Sequence, residues 1–291
     1  MLVNTFCHIA NLKECTEAKL WEAGILSWDD VLELDELPVS RPSLASIRLA
    51  LKESQERRYD GDAAYFASRL PNRQRWRLFS EYRDQTAYLD IETEGLSKEH
   101  CGITTIAVYD GRSLKTYVRG RNLGEFMDDI SQYRLLVTYN GSQFDLPMLS
   151  RSLDISFPQA HIDLRFVLRD VGITGGLKKC EQTLGIDRGR LNGLNGYAAV
   201  LLWQEYARRG HEGALETLLA YNAADVLGLE PLAVRAYNLM LGQMKFAPAR
   251  LLDMPEIGSN PFQADPKSLK RLPKWLFEKQ YYTSDIQHDY K

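Results

Sequence analysis

The stretch "TAYLDIETEG" (86–95) decides how this chain folds. It begins as an apolar strand and carries two carboxylates, Asp90 and Glu92, where the strand ends and a loop begins at Gly95. Side chains two positions apart on a strand point to the same face, so the spacing brings both carboxylates together. Two such groups repel each other in a partly buried site unless a cation lies between them. The pair therefore favours a divalent-metal site, although the same spacing also occurs on solvent-facing edge strands.

The segments that follow predict an α/β arrangement. "GITTIAVYD" (102–110) and "SLKTYVRG" (113–120) are typical of two strands joined by an Asp-Gly turn. "YRLLVTYN" (133–140) predicts a buried strand, and "AHIDLRFVL" (160–168) predicts a strand that runs into a helix. Helices are expected at 122–131, 144–153, 177–184, 196–209, 212–220 and 221–241. Three strands in hairpins, then strand–helix crossovers and a helical tail, predict a mixed sheet flanked by helices.

Further acidic side chains are expected near the same sheet edge. Asn140 and Gly141 end a strand, and Asp145 then falls in the first turn of a helix. Strand ends are where α/β sheets hold ligands, although such a carboxylate can also simply offset the helix dipole. Tyr221 and Asp225 are four residues apart on a predicted helix, which places them on one face.

The three motifs together resemble a known family. Their order, Asp-x-Glu, then Asn-Gly-x-x-Phe-Asp, then Tyr-x-x-x-Asp, is similar to the exonuclease motifs of the DEDD superfamily, tyrosine (DEDDy) subclass. The chain looks most like the YprB-type RNase H-like predicted exonucleases. "TGGLKKCEQTLGIDR" (174–188) also resembles the segment that those proteins carry between the second and third motifs. The resemblance covers roughly 85–240 and implies an RNase H-like, DnaQ-like exonuclease fold with a small helical N-terminal extension.

The resemblance also implies a chemistry and a set of catalytic residues. It implies a 3′–5′ exonuclease that releases nucleoside 5′-monophosphates from the 3′ end of DNA or RNA by a two-metal mechanism. By this resemblance Asp90, Glu92, Asp145 and Asp225 hold two Mg²⁺ or Mn²⁺ ions, and Tyr221 positions the attacking water. The residue types agree with it, because oxygen ligands without Cys or His select Mg²⁺ or Mn²⁺ over zinc.

Asn140 and Phe144 match family positions near the last nucleotides of the substrate, and Leu96 is expected to wedge against the terminal base. A turn asparagine and a core phenylalanine are the alternatives for the first two. Asp163, in "HIDLR", is expected either to support the structure or to hold the metal ligands in place, since four carboxylates already serve the metals. Lys178 and Lys179 open a helix and either touch phosphate or lie on a solvated face.

Composition indicates an ordinary globular protein. The 291 residues are 44% hydrophobic and 26% charged, with a formal net charge of −3. No apolar run approaches the length of a membrane span, and the first residues lack the pattern of a secretory signal. The four cysteines form no metal-binding cluster and are typical of reduced thiols. We therefore expect a cytoplasmic protein without a membrane partner.

The chain divides into four predicted units. Residues 1–36 are expected to form a small helical unit of the helix-hairpin-helix or SAM-like kind, or an extension that only packs on the main domain. Residues 37–84 are a linker and helices, 85–241 the RNase H-like domain, and 242–291 a C-terminal extension. Arginines alternate with aromatic residues in 70–84, which suits nucleic acid, but aromatics packed inward are favoured. The C-terminal lysines, Trp275 and tyrosines either grip nucleic acid or pack on the surface.

Other functions stay open. A protein that kept the fold as a nucleic-acid-binding scaffold and lost turnover is the main alternative, although the complete motif set argues against it. An RNase H-like endonuclease would generally lack the pair of Tyr221 and Asp225. A glycoside hydrolase needs two carboxylates but not the Asn-Gly-x-x-Phe-Asp motif.

Overall fold

A five-stranded mixed sheet forms the centre of the molecule. The computed structural model describes residues 1–36, 38, 42–95, 102–186, 194–244 and 251–278. The strands are β1 (Thr86–Thr93), β2 (Ile103–Tyr109), β3 (Leu114–Val118), β4 (Leu135–Thr138) and β5 (Ala160–Asp163), in the order β3-β2-β1-β4-β5. β1 pairs antiparallel with β2 and parallel with β4, and β4 pairs parallel with β5. This is the mixed sheet that the sequence predicts.

Helices surround the sheet. In chain order, the α-helices of the described residues are α1 (Glu14–Glu22), α2 (Trp28–Glu33), α3 (Leu44–Tyr59), α4 (Ala63–Arg69), α5 (Phe79–Tyr82), α6 (Phe126–Ile130), α7 (Asp145–Leu153), α8 (Leu164–Asp170), α9 (Leu177–Thr183), α10 (Gly196–Arg209), α11 (Glu212–Leu227), α12 (Leu229–Gly242), α13 (Pro266–Arg271) and α14 (Trp275–Glu278). Short 3-10 helices cover Leu2–Asn4, Asn72–Leu78, Arg83–Gln85 and Leu123–Glu125. None of the helices described is long and apolar enough to cross a membrane.

The two faces of β1 enter different parts of the core. Ala87, Leu89 and Ile91 share one face and pack with α6 and α7. Tyr88 points to the other face and belongs to a cluster that includes α8 and α12. Asp90, two positions after Tyr88, points to this second face, because side chains alternate along a strand. The strand is therefore buried on both sides, and its carboxylates point toward helices rather than toward solvent.

The N-terminal helices share the core of the sheet. Leu20, Trp28 and Ile47 belong to the same buried cluster as Tyr88 and Tyr237. A buried ion pair ties the beginning of the chain to the segment before β1, as Arg77 Nη1 lies 2.8 Å from Glu17 Oε2. The boundary at residue 36 stays a prediction from the sequence.

The aromatic residues of 70–84 face inward, as predicted. Trp76, Phe79 and Tyr82 are all buried, and Trp76 meets the ring of Tyr237 at 5.6 Å. A ring that is buried in the core cannot stack on a nucleic-acid base. This segment therefore supports the sheet and offers no aromatic surface to nucleic acid.

One predicted helix boundary is wrong. The sequence predicts a break between 220 and 221, whereas α11 runs without interruption from Glu212 to Leu227, and α12 begins at Leu229. Gly228 lies between the two helices, and a Cβ there would meet Glu181 Oε1 at 2.2 Å. The run from 214 to 227 contains no glycine or proline, so nothing in it interrupts the helix before Gly228. Consequently Tyr221 and Asp225 both lie in the second half of one helix.

Candidate metal centre

Three carboxylates meet where β1 approaches its end. Ligand oxygens of Asp90, Glu92 and Asp225 all lie within 4.8 Å of one another. Glu92 and Asp225 are buried and Asp90 is half-buried. The pairing of β1 with β2 shifts register between Glu92 and Thr93, so the ladder becomes irregular beside the cluster. Residues more than a hundred positions apart in sequence thus form one acidic group.

Helix α11 brings Asp225 to the sheet, and Asn222 fixes the helix there. The Asn222 amide donates from Nδ2 to Asp90 Oδ2 at 2.7 Å and accepts a hydrogen bond from Thr105 Oγ1 at 3.0 Å. Thr105 is the β2 partner of Glu92, so this amide bridges both strands that border the cluster. Sequence reasoning missed Asn222. The available signal was a polar residue inside the apolar helical run "LLAYNAADVL" (218–227), where burial requires a partner.

Asp145 lies beside the group of three rather than within it. It is buried at the first residue of α7, and its Oδ1 accepts a hydrogen bond from the backbone N–H of Ile91 at 3.2 Å. Ile91 stands between Asp90 and Glu92, so the contact ties α7 to the acidic part of β1. Three of the four predicted carboxylates therefore lie in one group with the fourth next to it, and their sharing of metal ions stays a prediction.

A tight turn between β4 and α7 presents Asp145. Asn140 has a positive φ of 66°, and a Cβ on Gly141 would lie 2.2 Å from Thr138 Oγ1, so only glycine fits there. The Asp163 carboxylate accepts the backbone N–H groups of Asn140 at 2.7 Å and Ser142 at 3.1 Å, together with the Ser142 hydroxyl at 2.5 Å. Asp163 is therefore a support for this turn, as the sequence predicts.

The predicted substrate residues have different surroundings. Asn140 Oδ1 accepts a hydrogen bond from Arg165 Nη1 at 2.6 Å, so its amide is held at the end of β4. Phe144 is half-buried against the cluster under α7, which matches the alternative of a core residue. Leu96 lies outside the residues that the structure describes. The roles of all three toward a substrate stay predictions.

Comparison with known proteins identifies the fold that carries this site. The sequence pattern of the RNase H superfamily matches residues 87–237, about half of the chain, and includes all four carboxylates. The chain belongs to the RNase H superfamily. No curated protein sequence matches it.

Several solved structures resemble this RNase H-like chain, and one of them is a DNA polymerase. It is the family B DNA polymerase from the hyperthermophilic archaeon Pyrobaculum calidifontis, at 17% sequence identity and a TM-score of 0.39. The similarity covers 53% of this chain and 25% of the polymerase, so the chain spans well under two thirds of that protein.

Burial and like charge shape the titration of this RNase H-like centre. The pKa of Glu92 is raised well above its ordinary value, first by burial and then by the charges of Asp90 and Asp145. The pKa of Asp145 is raised as well, by burial and by Asp90, whereas the Ile91 N–H lowers it. Without a cation Glu92 and Asp145 therefore favour the protonated form, whereas a nearby positive charge would favour the ionised form.

Lys178 supplies a positive charge at the edge of the cluster. Its Nζ lies 4.5 Å from the centroid of the Tyr221 ring, and its charge lowers the pKa of Glu92. The side chain is half-buried, whereas the neighbouring Lys179 is exposed. The Nζ atom of Lys178 is itself buried, so Lys178 does not present its charge on a solvated face, and contact with phosphate stays a prediction. The two lysines are adjacent in sequence, and the packing of α9 leaves one half-buried and the other exposed.

We predict that Glu92→Gln stabilises the metal-free protein at neutral pH. The pKa of Glu92 in the folded protein lies above its ordinary value of 4.5. The contribution of Glu92 to the free energy of unfolding is therefore fully present below pH 4.5 and is lost as the pH rises through the folded pKa. Two carboxylates in contact at an effective dielectric near 20 repel by about 3 kcal/mol. In EDTA the variant should gain about 1–3 kcal/mol over wild type at about pH 8, and nothing at about pH 4.

Urea unfolding at both pH values measures this difference. Glu56→Gln, an exposed carboxylate on α3, is the matched control and should change stability little at either pH. A loss of stability in Glu92→Gln that is the same at both pH values would contradict the repulsion argument.

Proposed function

We propose that the protein is a metal-dependent 3′–5′ exonuclease of the tyrosine-containing DEDD type. It would hydrolyse the last phosphodiester bond of a DNA or RNA strand and release a nucleoside 5′-monophosphate. The observation that supports this most is the group of Asp90, Glu92 and Asp225 at the end of β1, with ligand oxygens within 4.8 Å of one another. Asp145 borders it, and Tyr221 lies one helical turn before Asp225.

The donor set fits two Mg²⁺ or Mn²⁺ ions. Every candidate ligand is a carboxylate oxygen, and two of the groups, Glu92 and Asp145, have pKa values raised by burial and by neighbouring negative charge. Hard cations of this kind prefer such oxygens. When bound, they would supply positive charge that acidifies a water and offsets the charge on the phosphate oxygens. Asp90, Glu92 and Asp225 would hold them, with Asp145 from the adjoining helix.

The protein groups around the carboxylates have separate tasks in this proposal. The Tyr221 hydroxyl would orient the water whose oxygen bonds to phosphorus, while the bond from phosphorus to the 3′ oxygen of the preceding nucleotide breaks. That 3′ oxygen takes a proton and stays on the shortened strand. Asn222 holds Asp90 in place through its 2.7 Å hydrogen bond. Lys178 keeps positive charge near Glu92 and covers the Tyr221 ring.

We predict that Asp90→Asn and Asp225→Asn each abolish nuclease activity while the fold survives. Losing a ligand removes stabilisation worth several kcal/mol, so the rate should fall roughly a thousandfold. The assay uses single-stranded DNA and RNA labelled at the 5′ end, with Mg²⁺, Mn²⁺ or EDTA. A 3′–5′ exonuclease gives a ladder of shortening labelled strands, whereas a 5′–3′ enzyme releases the label in its first cut.

Asp84→Asn is the matched control, because Asp84 is exposed and precedes β1 without reaching the cluster. It should keep full activity. Undiminished degradation by both cluster variants would show that the activity lies elsewhere. Strand binding without cleavage in every metal would favour a scaffold that retained the fold.

We predict that Tyr221→Phe lowers kcat by roughly a hundredfold, since one hydrogen bond that orients the reacting water is lost. KM should change by less than about twofold, because the ring and its contact with Lys178 stay in place. Steady-state kinetics on a labelled oligonucleotide measures both constants. Tyr59→Phe, at a residue that is 93% exposed, serves as the control. An equal loss in kcat and in affinity would argue against a water-orienting role.

A further inference from the structure

The segment after residue 250 returns to the helix that carries Tyr221 and Asp225. Asn260 Nδ2 donates to the backbone oxygen of Ala220 at 2.8 Å, and Asp265 N donates to Thr217 Oγ1 at 2.9 Å. A Cβ on Gly213 would meet Asp265 Oδ2 at 2.8 Å, so the segment lies close against the first part of α11. The chain thus runs back along α11 before α13 begins.

The underside of α13 and α14 belongs to the surroundings of the metal centre. Leu272 and Leu276 are buried in one cluster with Leu194, Leu218 and Tyr221. Tyr221 is the residue that the proposed reaction needs. These short helices therefore pack on the same cluster as Tyr221.

Two aromatic rings emerge from this place. Tyr197, at the beginning of α10, is 39% exposed and Trp275, at the beginning of α14, is 45% exposed. Their centroids lie 5.7 Å apart, with the ring planes tilted by 32°. Large aromatic residues are usually more buried, because each ring contributes much to a core when covered.

The segment that carries α13 and the beginning of α14 is also positively charged. Lys267, Lys270 and Lys274 are exposed, and the stretch 266–275 has no acidic residue. The chain as a whole carries a formal net charge of −3, so the positive charge of this segment differs in sign from that of the whole chain. Arg271 differs from the lysines because it pairs with Glu205 on α10.

Aromatic rings beside lysines match one kind of ligand. A single strand of nucleic acid stacks its bases on such rings and places its phosphates near the ammonium groups. An apolar protein partner fits less well, since Leu272 and Leu276 already point inward and the outer surface offers mainly rings and charges.

We propose that Tyr197, Trp275 and the lysines at 267, 270 and 274 form a binding surface for single-stranded nucleic acid, which we call the aromatic–lysine surface. It holds the part of the strand that precedes the terminal nucleotides, next to the carboxylates. The inference rests on the proposed function, because it supplies that site with its strand.

The test measures binding without cleavage. Oligonucleotides dT12 and rU12, labelled with fluorescein, are titrated with the full chain in EDTA at low salt, and anisotropy gives Kd. Tyr197→Ala combined with Trp275→Ala should weaken binding by about tenfold or more, as two stacked bases are lost. Trp275→Phe keeps a ring and should retain most of the affinity. Lys270→Ala combined with Lys274→Ala should lower the salt dependence of log K by about 0.7 for each lysine.

The matched control combines Tyr59→Ala with Lys52→Ala, an exposed aromatic and an exposed lysine on α3. It should bind as wild type does. Thermal unfolding confirms that every variant is folded. The proposal is wrong if the aromatic double variant and the control bind with equal affinity. It is also wrong if wild type binds neither oligonucleotide.

Failure of this inference is distinguishable from failure of the proposed function. If cluster variants abolish cleavage but the aromatic double variant binds normally, only the surface is wrong. If no cleavage occurs in any metal, weakened binding by the double variant still establishes the surface, and the exonuclease proposal falls by itself.

Discussion

The repulsion among the carboxylates of Asp90, Glu92 and Asp225 is the constraint on which the rest of the site depends. Their oxygens lie within 4.8 Å of one another, and two of the three residues are buried. Negative groups so close in a region of low dielectric destabilise the fold unless protons, cations or hydrogen-bond donors offset them. The pKa of Glu92 is raised by burial and by the neighbouring negative charges, as this repulsion requires. Groups of like charge with strongly shifted pKa values, held together in a well-packed protein, are typical of functional sites rather than of sites that stabilise the fold.

The surrounding structure holds the acidic group in place from several sides. On one side, Asn222 spans from α11 to Asp90 and Thr105, so the helix cannot slide along the sheet without breaking both hydrogen bonds. On another side, the turn supported by Asp163 sets the start of α7 and thereby Asp145. These contacts are made by neutral amides, backbone N–H groups and a carboxylate away from the cluster, which add no further negative charge to it. The fold thus holds the carboxylates rigidly, and in the proposed function their negative charge would be balanced by bound cations.

Much of this arrangement can be predicted from the sequence, for reasons that particular residues make clear. The apolar runs and the Asp110-Gly111 turn predict the sheet, because strand patterns and turn residues are local signals. The spacing of Asp90 and Glu92, and that of Tyr221 and Asp225, predicts shared faces for the same reason. The position of Asp145 beside the group of three depends on the geometry of a turn and on the Ile91 N–H. The partners of Asn222, and the different environments of Lys178 and Lys179, likewise depend on contacts far away in sequence, and no local pattern encodes them.

The most direct test of the central claim is the binding of Mn²⁺, measured by the loss of its free electron paramagnetic resonance signal as protein is added. The account predicts that wild type and Asp84→Asn remove at least one Mn²⁺ per chain, that Mg²⁺ competes, and that Asp225→Asn binds much less. A free Mn²⁺ signal that wild type leaves unchanged, or equal binding by Asp225→Asn, would contradict the account.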